Sequence, residues 1–170
     1  MGDRLLRRLG SPLGDLVLVA DGDTLLEIRL PGVMVALAGG HDVHDGLNVP
    51  DPAADEILSR AADQLEAYFA GELRAFDLPV LLRGTPFQQQ VWRALLDIPF
   101  GATVSYAQLA AAIGRPGAAR AVGRAVGQNP IAVVVPCHRV VGADGGLTGY
   151  AGGLPAKQQL LRLERRQTTD

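Results

Sequence analysis

The chain holds one cysteine and one lysine among its 170 residues, and each shortage limits what it can be. A single thiol closes no internal disulfide, which suits a reducing compartment. No apolar run approaches the length that crosses a bilayer. The opening "MGDRLLRR" has neither a long apolar segment nor a small-residue cleavage site, so the expectation is a cytoplasmic chain without a secretory signal. Leu6 stands where a myristoylation signal needs Ser or Thr. Internal repeats and low-complexity tracts are missing too. What is present, 48% hydrophobic and 20% charged residues, fits a soluble globular protein of one ordinary domain or two small ones.

A net charge of −2 hides an uneven distribution. Residues 1–84 carry 7 basic and 14 acidic side chains, or −7, and residues 85–170 carry 9 and 4, or +5. A basic half can follow a polyanion while an acidic half faces away, or both can be plain solvated surface. Of the 16 basic residues only Lys157 is lysine, a bias compatible with phosphate and base contacts.

The first half reads as a small α/β unit. "LGDLVLVADGDTLLEIRL" alternates apolar and polar residues and turns at Asp21-Gly22-Asp23, as a hairpin does. Residues 32–52, rich in Gly, Asp and Pro, read as irregular loop. Beyond them Ile57, Ala61, Leu65, Tyr68 and Phe69 form one helical stripe that Gly71 closes. "FDLPVLL" is a candidate strand. His41 and His44 have a His-x-x-His spacing, but the segment lacks helical pattern and a nearby cysteine, so a solvated loop is expected there and no metal.

The second half carries more information. Thr85-Pro86-Phe87-Gln88 is a capping box with Pro at the first helical position, and predicts a helix burying Val91, Trp92, Leu95 and Leu96. Ser105-Tyr106-Ala107-Gln108 repeats the box and opens a helix ended by Gly114. After a Gly/Pro turn a third helix runs to Gly127, and the pair resembles a helix-turn-helix. Apart from Arg120 and Arg124, which share a face at i,i+4, this reader helix is Ala, Val and Gly. Two readings stand: tight core packing, or a slender helix entering a groove about 6 Å wide.

"VVVPCHRVVG" then presents Cys137 between Pro136 and His138. "IAVVV" reads as a short β run that Pro136 ends, with Asn129-Pro130 turning the chain before it. An ordinary thiol, of pKa about 8.5, is only slightly ionised at neutral pH, so a nucleophile there needs a base or a field. His138 is the candidate base, although neighbours on extended backbone point to opposite faces, so a bridging water or a local turn is required. Glu164, on the apolar face of the last helix beside Leu160 and Leu161, either orients the imidazole or pairs with Arg93 or Arg139.

"PCHRV" (136–140), with "RAVG" (120–123) and "NPI" (129–131) before it and "GYAGGL" (149–154) and the Glu164 helix after it, resembles the methylated-DNA–protein-cysteine methyltransferases. These are the 6-O-alkylguanine-DNA alkyltransferase family. The resemblance is dense in the second half and general in the first. It implies a ribonuclease H-like α/β domain with a small antiparallel sheet over residues 1–83, then a mainly α, winged helix-turn-helix-like domain over 84–170. It also implies direct-reversal repair, in which an alkyl group moves once and irreversibly from 6-O-alkylguanine, and from 4-O-alkylthymine as an open case, to Cys137.

In that family pattern His138 acts through a water as acid and base, Glu164 holds the imidazole, and Asn129 supports the turn. Arg120 matches the arginine that replaces the flipped nucleotide, and Tyr106 the tyrosine that crowds the neighbouring phosphate; Arg124 shares the DNA face. Tyr150 binds the purine with backbone of 149–153, and the carbonyls of Cys137 and Val140 read the exocyclic amine. Base flipping costs a few kcal/mol and least for a badly paired base. The partner implied is double-stranded DNA bound by a monomer, with clustering on DNA left open; no membrane, metal or cofactor is implied. The zinc ligands of vertebrate relatives are missing, and Ala151 stands where some relatives carry Ser.

Two other classes compete. A Cys-His-Glu hydrolase or acyltransferase turns over through a thioester and needs an oxyanion hole. A non-catalytic DNA-binding regulator leaves the Cys137 arrangement idle.

Overall fold

A computed structural model of the chain describes residues 4–33, 44–45 (backbone only) and 51–169. It separates into two compact units, Met1–Leu81 and Leu82–Asp170.

In the first unit β1 (Leu5–Ser11), β2 (Gly14–Asp21) and β3 (Thr24–Arg29) form an antiparallel meander. The turn at Gly22-Asp23 joins Asp21 to Thr24 across the ladder, where the hairpin was expected. A register shift at Val19/Ala20 breaks the alternation, and Leu25 and Leu26 are both buried beside it. Within 32–52, read as loop, His44–Asp45 pairs parallel with β1 as β4, giving the order β3-β2-β1-β4. The rest of the His41/His44 question lies outside the described residues.

Helix α1 (Pro52–Phe69) is capped by Asp51, whose carboxylate accepts from the Ala53 and Ala54 amides. It packs on the meander through Ile57, Leu58, Ala61, Leu65 and Tyr68, whereas Phe69, expected on the same stripe, is only half-buried. Gly71 adopts φ +84°, and the bonds Glu72 N→Ala67 O (2.8 Å) and Gly71 N→Tyr68 O (3.1 Å) close the helix as a Schellman motif. "FDLPVLL" is no strand. Only Val80 bridges to Leu25, because Pro79 has no amide to donate and enters as an acceptor alone.

The second unit is mainly helical: α2 (Pro86–Leu96), α3 (Tyr106–Ala112), α4 (Ala119–Gly127) and α5 (Leu154–Thr168). Both capping boxes form, Thr85 with Gln88 and Ser105 with Gln108. Val91, Trp92 and Leu95 are buried, and the Trp92 indole donates to Ala125 O at 2.7 Å. Leu96 is 45% exposed, against expectation. At about 100° per residue the stripe is centred on Val91 and Leu95, so Leu96 falls beyond the Trp92 flank. Ile98 returns to the core past the helix end.

Helices α3 and α4 join through residues 113–118, with Gly114 and Gly117 at φ +74° and +91°. A two-residue parallel pairing of β5 (Val104–Ser105) with β6 (Val140–Val141) completes the unit. No described helix is long and apolar enough to cross a membrane.

Candidate active site

The apolar run before Cys137 is not a strand. It is a chain of tight turns in which Val134 N→Ala132 O and Cys137 N→Val135 O, both 2.8 Å, close three-residue loops. The first forces Val133 to φ +70°, a left-handed conformation that a β-branched residue strongly resists. Asn129 holds this stretch from both ends of its amide, donating to Val135 O at 2.8 Å and accepting from Ile131 N at 3.0 Å. A strained turn over-determined by side-chain bonds is the form functional backbone takes.

Residues Cys137–Arg139 then make one turn of 3-10 helix, the local turn that was one of the two arrangements expected there. With three residues per turn, consecutive side chains diverge by about 120°. Cys137 is buried but keeps 6% of its surface, while His138 is fully enclosed.

His138 Nε2 lies 2.8 Å from Glu164 Oε1. The carboxylate therefore accepts from Nε2–H, and the ring's lone pair sits on Nδ1. That atom is buried with no hydrogen-bond partner among the described residues. Burial holds the His138 pKa below its ordinary value despite the nearby carboxylate, so the ring is neutral near pH 7 and free to accept a proton.

The two roles weighed for Glu164 are both filled. Arg139 donates to it from Nε (3.0 Å to Oε2) and Nη2 (2.9 Å to Oε1), and its Nη1 donates to Ile98 O at 2.6 Å. The Gly101 amide adds a bond at 3.3 Å. Burial alone would raise the Glu164 pKa, but the bonds from His138 and Arg139 win and hold it at about 2. Arg93 plays no part; it is exposed and reaches Gln89 instead.

Burial pushes the Cys137 thiol up, and the neighbouring polar groups of Asn129 and Tyr150 and the charge of Lys157 pull it part of the way back. Tyr150 and Asn129 are thus brought to the sulfur. The Cys137 carbonyl already accepts from the Val140 amide, which leaves one lone pair for another donor. Val140 itself is buried in β6, and Ala151 is exposed in the glycine-rich loop 142–153.

Tyr106, at the start of α3, donates to Thr148 O of that loop at 3.3 Å. Arg120 and Arg124 are exposed on α4 and make no hydrogen bond or ion pair among the described residues. Val122, Ala125 and Val126 bury the opposite side of α4, so the helix has both a core face and a small, open, arginine-bearing face.

One residue of the site escaped the sequence reading. On α5 the buried stripe is Lys157, Leu160, Leu161 and Glu164. The spacing that singles out Glu164 from the two leucines selects Lys157 equally well, three and four residues before them.

Two family models match: the 6-O-methylguanine DNA methyltransferase ribonuclease-like domain over residues 7–82 and the DNA binding domain of the same methyltransferase over 86–166. A methylated-DNA–protein-cysteine methyltransferase of Mycolicibacterium paratuberculosis is 65% identical over 95% of this chain and 93% of its own. That of Mycobacterium tuberculosis is 52% identical over 94% and 91%. The crystal structure of the Mycobacterium tuberculosis O6-methylguanine methyltransferase superposes with a TM-score of 0.83 at 48% identity, covering 96% of this chain and 94% of that one. Another, described as Mycobacterium tuberculosis OGT in complex with DNA, gives 0.82 at 48% identity with the same coverage. With both units matched and the cysteine, histidine and glutamate joined in one buried site, the chain belongs to the 6-O-methylguanine DNA methyltransferase family.

Proposed function

We propose that this chain repairs 6-O-alkylguanine in double-stranded DNA by direct reversal, accepting the alkyl group on Cys137. It is a methylated-DNA–protein-cysteine methyltransferase. The observation that carries the reading is the neutral His138, held by Glu164 with its Nδ1 lone pair unclaimed, next to the chain's one thiol.

The thiol proton leaves toward Nδ1, through one water, since no Cys137–His138 bond forms directly. The sulfur attacks the alkyl carbon in line; the S–C bond forms as the C–O6 bond breaks, and its electron pair leaves with guanine. Guanine takes up a proton in place of the alkyl group, so S–H and O–CH3 become S–CH3 and N–H. Water does not hydrolyse a thioether, so each chain acts once.

Asn129 and Tyr150 orient the sulfur and the base, the loop about Ala151 and the carbonyls of Cys137 and Val140 surround the purine, and Arg120 fills the stack where the nucleotide left. Tyr106 presses on the flanking phosphate, and Arg124 meets the backbone. Residues 84–170 thus carry both DNA binding and chemistry. The chain acts as a monomer in the cytoplasm, where a reducing medium keeps its thiol free.

Intact-mass measurement after incubation with a methylated duplex tests this. The expected result is one methyl in place of one hydrogen, on the peptide holding Cys137, saturating at one per chain and lost in Cys137→Ser. Repeated turnover, or methyl on another residue, refutes it.

A further inference from the structure

Glu164 is 1% exposed, and every acceptor site of its carboxylate is taken. Oε1 accepts from His138 Nε2 at 2.8 Å and from Arg139 Nη2 at 2.9 Å. Arg139 Nε spans both oxygens, 3.2 Å from Oε1 and 3.0 Å from Oε2, and the Gly101 amide reaches Oε2 at 3.3 Å. A carboxylate offers about four lone-pair sites, so none is left over. The guanidinium is itself fixed at its far end. Its Nη1 donates to Ile98 O at 2.6 Å, and its central carbon lies 5.7 Å from the Phe100 ring centroid. Ile98, Phe100 and Gly101 all belong to the connector after α2, so one short segment braces the arginine and the glutamate together.

A buried ion pair is often no more stabilising than apolar side chains of equal volume, so stability alone explains this one poorly. Its geometry has a second effect. A buried carboxylate facing one nitrogen of an imidazole favours a proton on the other, because the two charges then attract at low dielectric. A ring charged in that way has no lone pair at Nδ1 for the thiol proton. The guanidinium opposes this from the same carboxylate oxygen. With Glu164 ionised, Arg139 charged and His138 neutral, the buried trio has no net charge, and a proton on the ring leaves one positive charge in excess. Arginine stays charged throughout, so its influence does not fade with pH.

We propose that Arg139 is a positioning residue for the transfer: its fork fixes the plane of the Glu164 carboxylate, and its permanent charge keeps His138 an uncharged proton acceptor. This rests on His138 taking the thiol proton in the reaction given above. The opposed effects of Glu164 and Arg139 on the ring agree with it. Of the elements packed against the Cys137–Arg139 turn, α5 carries Lys157 and Glu164 on its buried stripe, while its Arg162, Arg165 and Arg166 are exposed. Arg93 on α2 and Asp97 after it are exposed too. Cys137 on the turn and Tyr150 in the loop complete the titratable groups about the site.

Ring nitrogen resonances report the charge of His138, with His138→Asn identifying its signals among the chain's three histidines. Arg139→Met should raise the pH at which the ring takes its proton by about one unit or more. Methyl uptake from free 6-O-methylguanine should then lag about tenfold or more at mildly acidic pH and recover as pH rises. Arg139→Lys keeps the charge without the fork, so it should return most of the midpoint yet leave transfer slower at every pH. An arginine with a purely structural role alters melting but leaves the midpoint in place, and that result overturns the assignment.

A second measurement needs no change at position 139. In the unmodified chain the Arg139 Nε–H resonance should shift together with the ring signals as His138 takes its proton, at a pH below the ordinary 6.5. A ring midpoint at or above that value, or a guanidinium signal that stays put while the ring titrates, also overturns the assignment. The resonance readouts use neither DNA nor an alkyl donor, so failure of methyl transfer from a duplex tells separately against the repair function.

Discussion

At Glu164 one buried carboxylate serves an imidazole and a guanidinium together, so its charge state decides whether both stay in place. Its pKa is lowered by those partners from 4.5 to about 2. A depressed carboxylate contributes stability in full above its unfolded value and loses it as pH falls through the folded one; the linked stability is on the order of 3 kcal/mol. His138, also depressed, costs stability on acidification below its ordinary 6.5, since the unfolded ring takes a proton that the buried one refuses. Thermal unfolding against pH should therefore show a shallow decline starting near 6.5 and a steeper one between 4.5 and about 2. In Glu164→Gln the steeper limb should vanish. That variant leaves Arg139 buried without its counter-charge, which should cost about 3–5 kcal/mol at neutral pH. Alkyl transfer should slow about a hundredfold or more as the His138 proton acceptor loses its orientation, checked by the rate of methyl uptake.

At the scale of elements, two glycines, one inside α4 and one in the turn after α2, should respond in opposite directions to an added methyl. Gly123 sits inside the helix, and a Cβ there would meet the Tyr106 ring at 3.5 Å, an ordinary contact. Gly123→Ala should thus raise stability by about 0.5–1 kcal/mol, read from denaturant midpoints, through helix entropy. Gly101→Ala should do the opposite. Gly101 holds φ +79°, a Cβ would come within 2.4 Å of Thr168 Cγ2, and its amide serves Glu164. A loss of about 1–2 kcal/mol is expected there by the same measurement. These elements differ in how readable they were. The helices with capping boxes at Thr85 and Ser105 were legible because cap, box partner and apolar stripe agree locally. "IAVVV" was not, because β-branched composition argues for a strand, and only the long-range bonds of Asn129 and the enclosed Val133 turn override it. Val80 and the β4 pairing depend on partners distant in sequence, and no local pattern signals them. Cys137, His138 and Glu164 were visible as residue types, and a local turn at the first two was one of two arrangements expected, but nothing local selected the turn over the bridging water.

At the scale of the whole molecule, a chain with a net charge of −2 is not drawn to a polyanion by total charge. Attraction must come from a local basic face, and that face lies in the half carrying +5, where Arg120 and Arg124 stand exposed and uncommitted on α4. The two arginines should nevertheless fail differently. A phosphate contact releases counterions, so each one lost lowers the slope of log affinity against log salt by about 0.9 and weakens binding to every sequence alike. Arg124→Ala should behave this way. An arginine filling the gap in the stack acts instead on the cost of extruding the base, a few kcal/mol that a duplex demands and a free base does not. Arg120→Ala should therefore lower methyl transfer from a duplex roughly tenfold or more, and far more than transfer from free 6-O-methylguanine, with a smaller change in salt slope. Salt-dependent binding together with transfer rates on the two substrates checks both. Equal effects of the two variants on slope and rate would mean that α4 meets DNA as an undifferentiated basic surface.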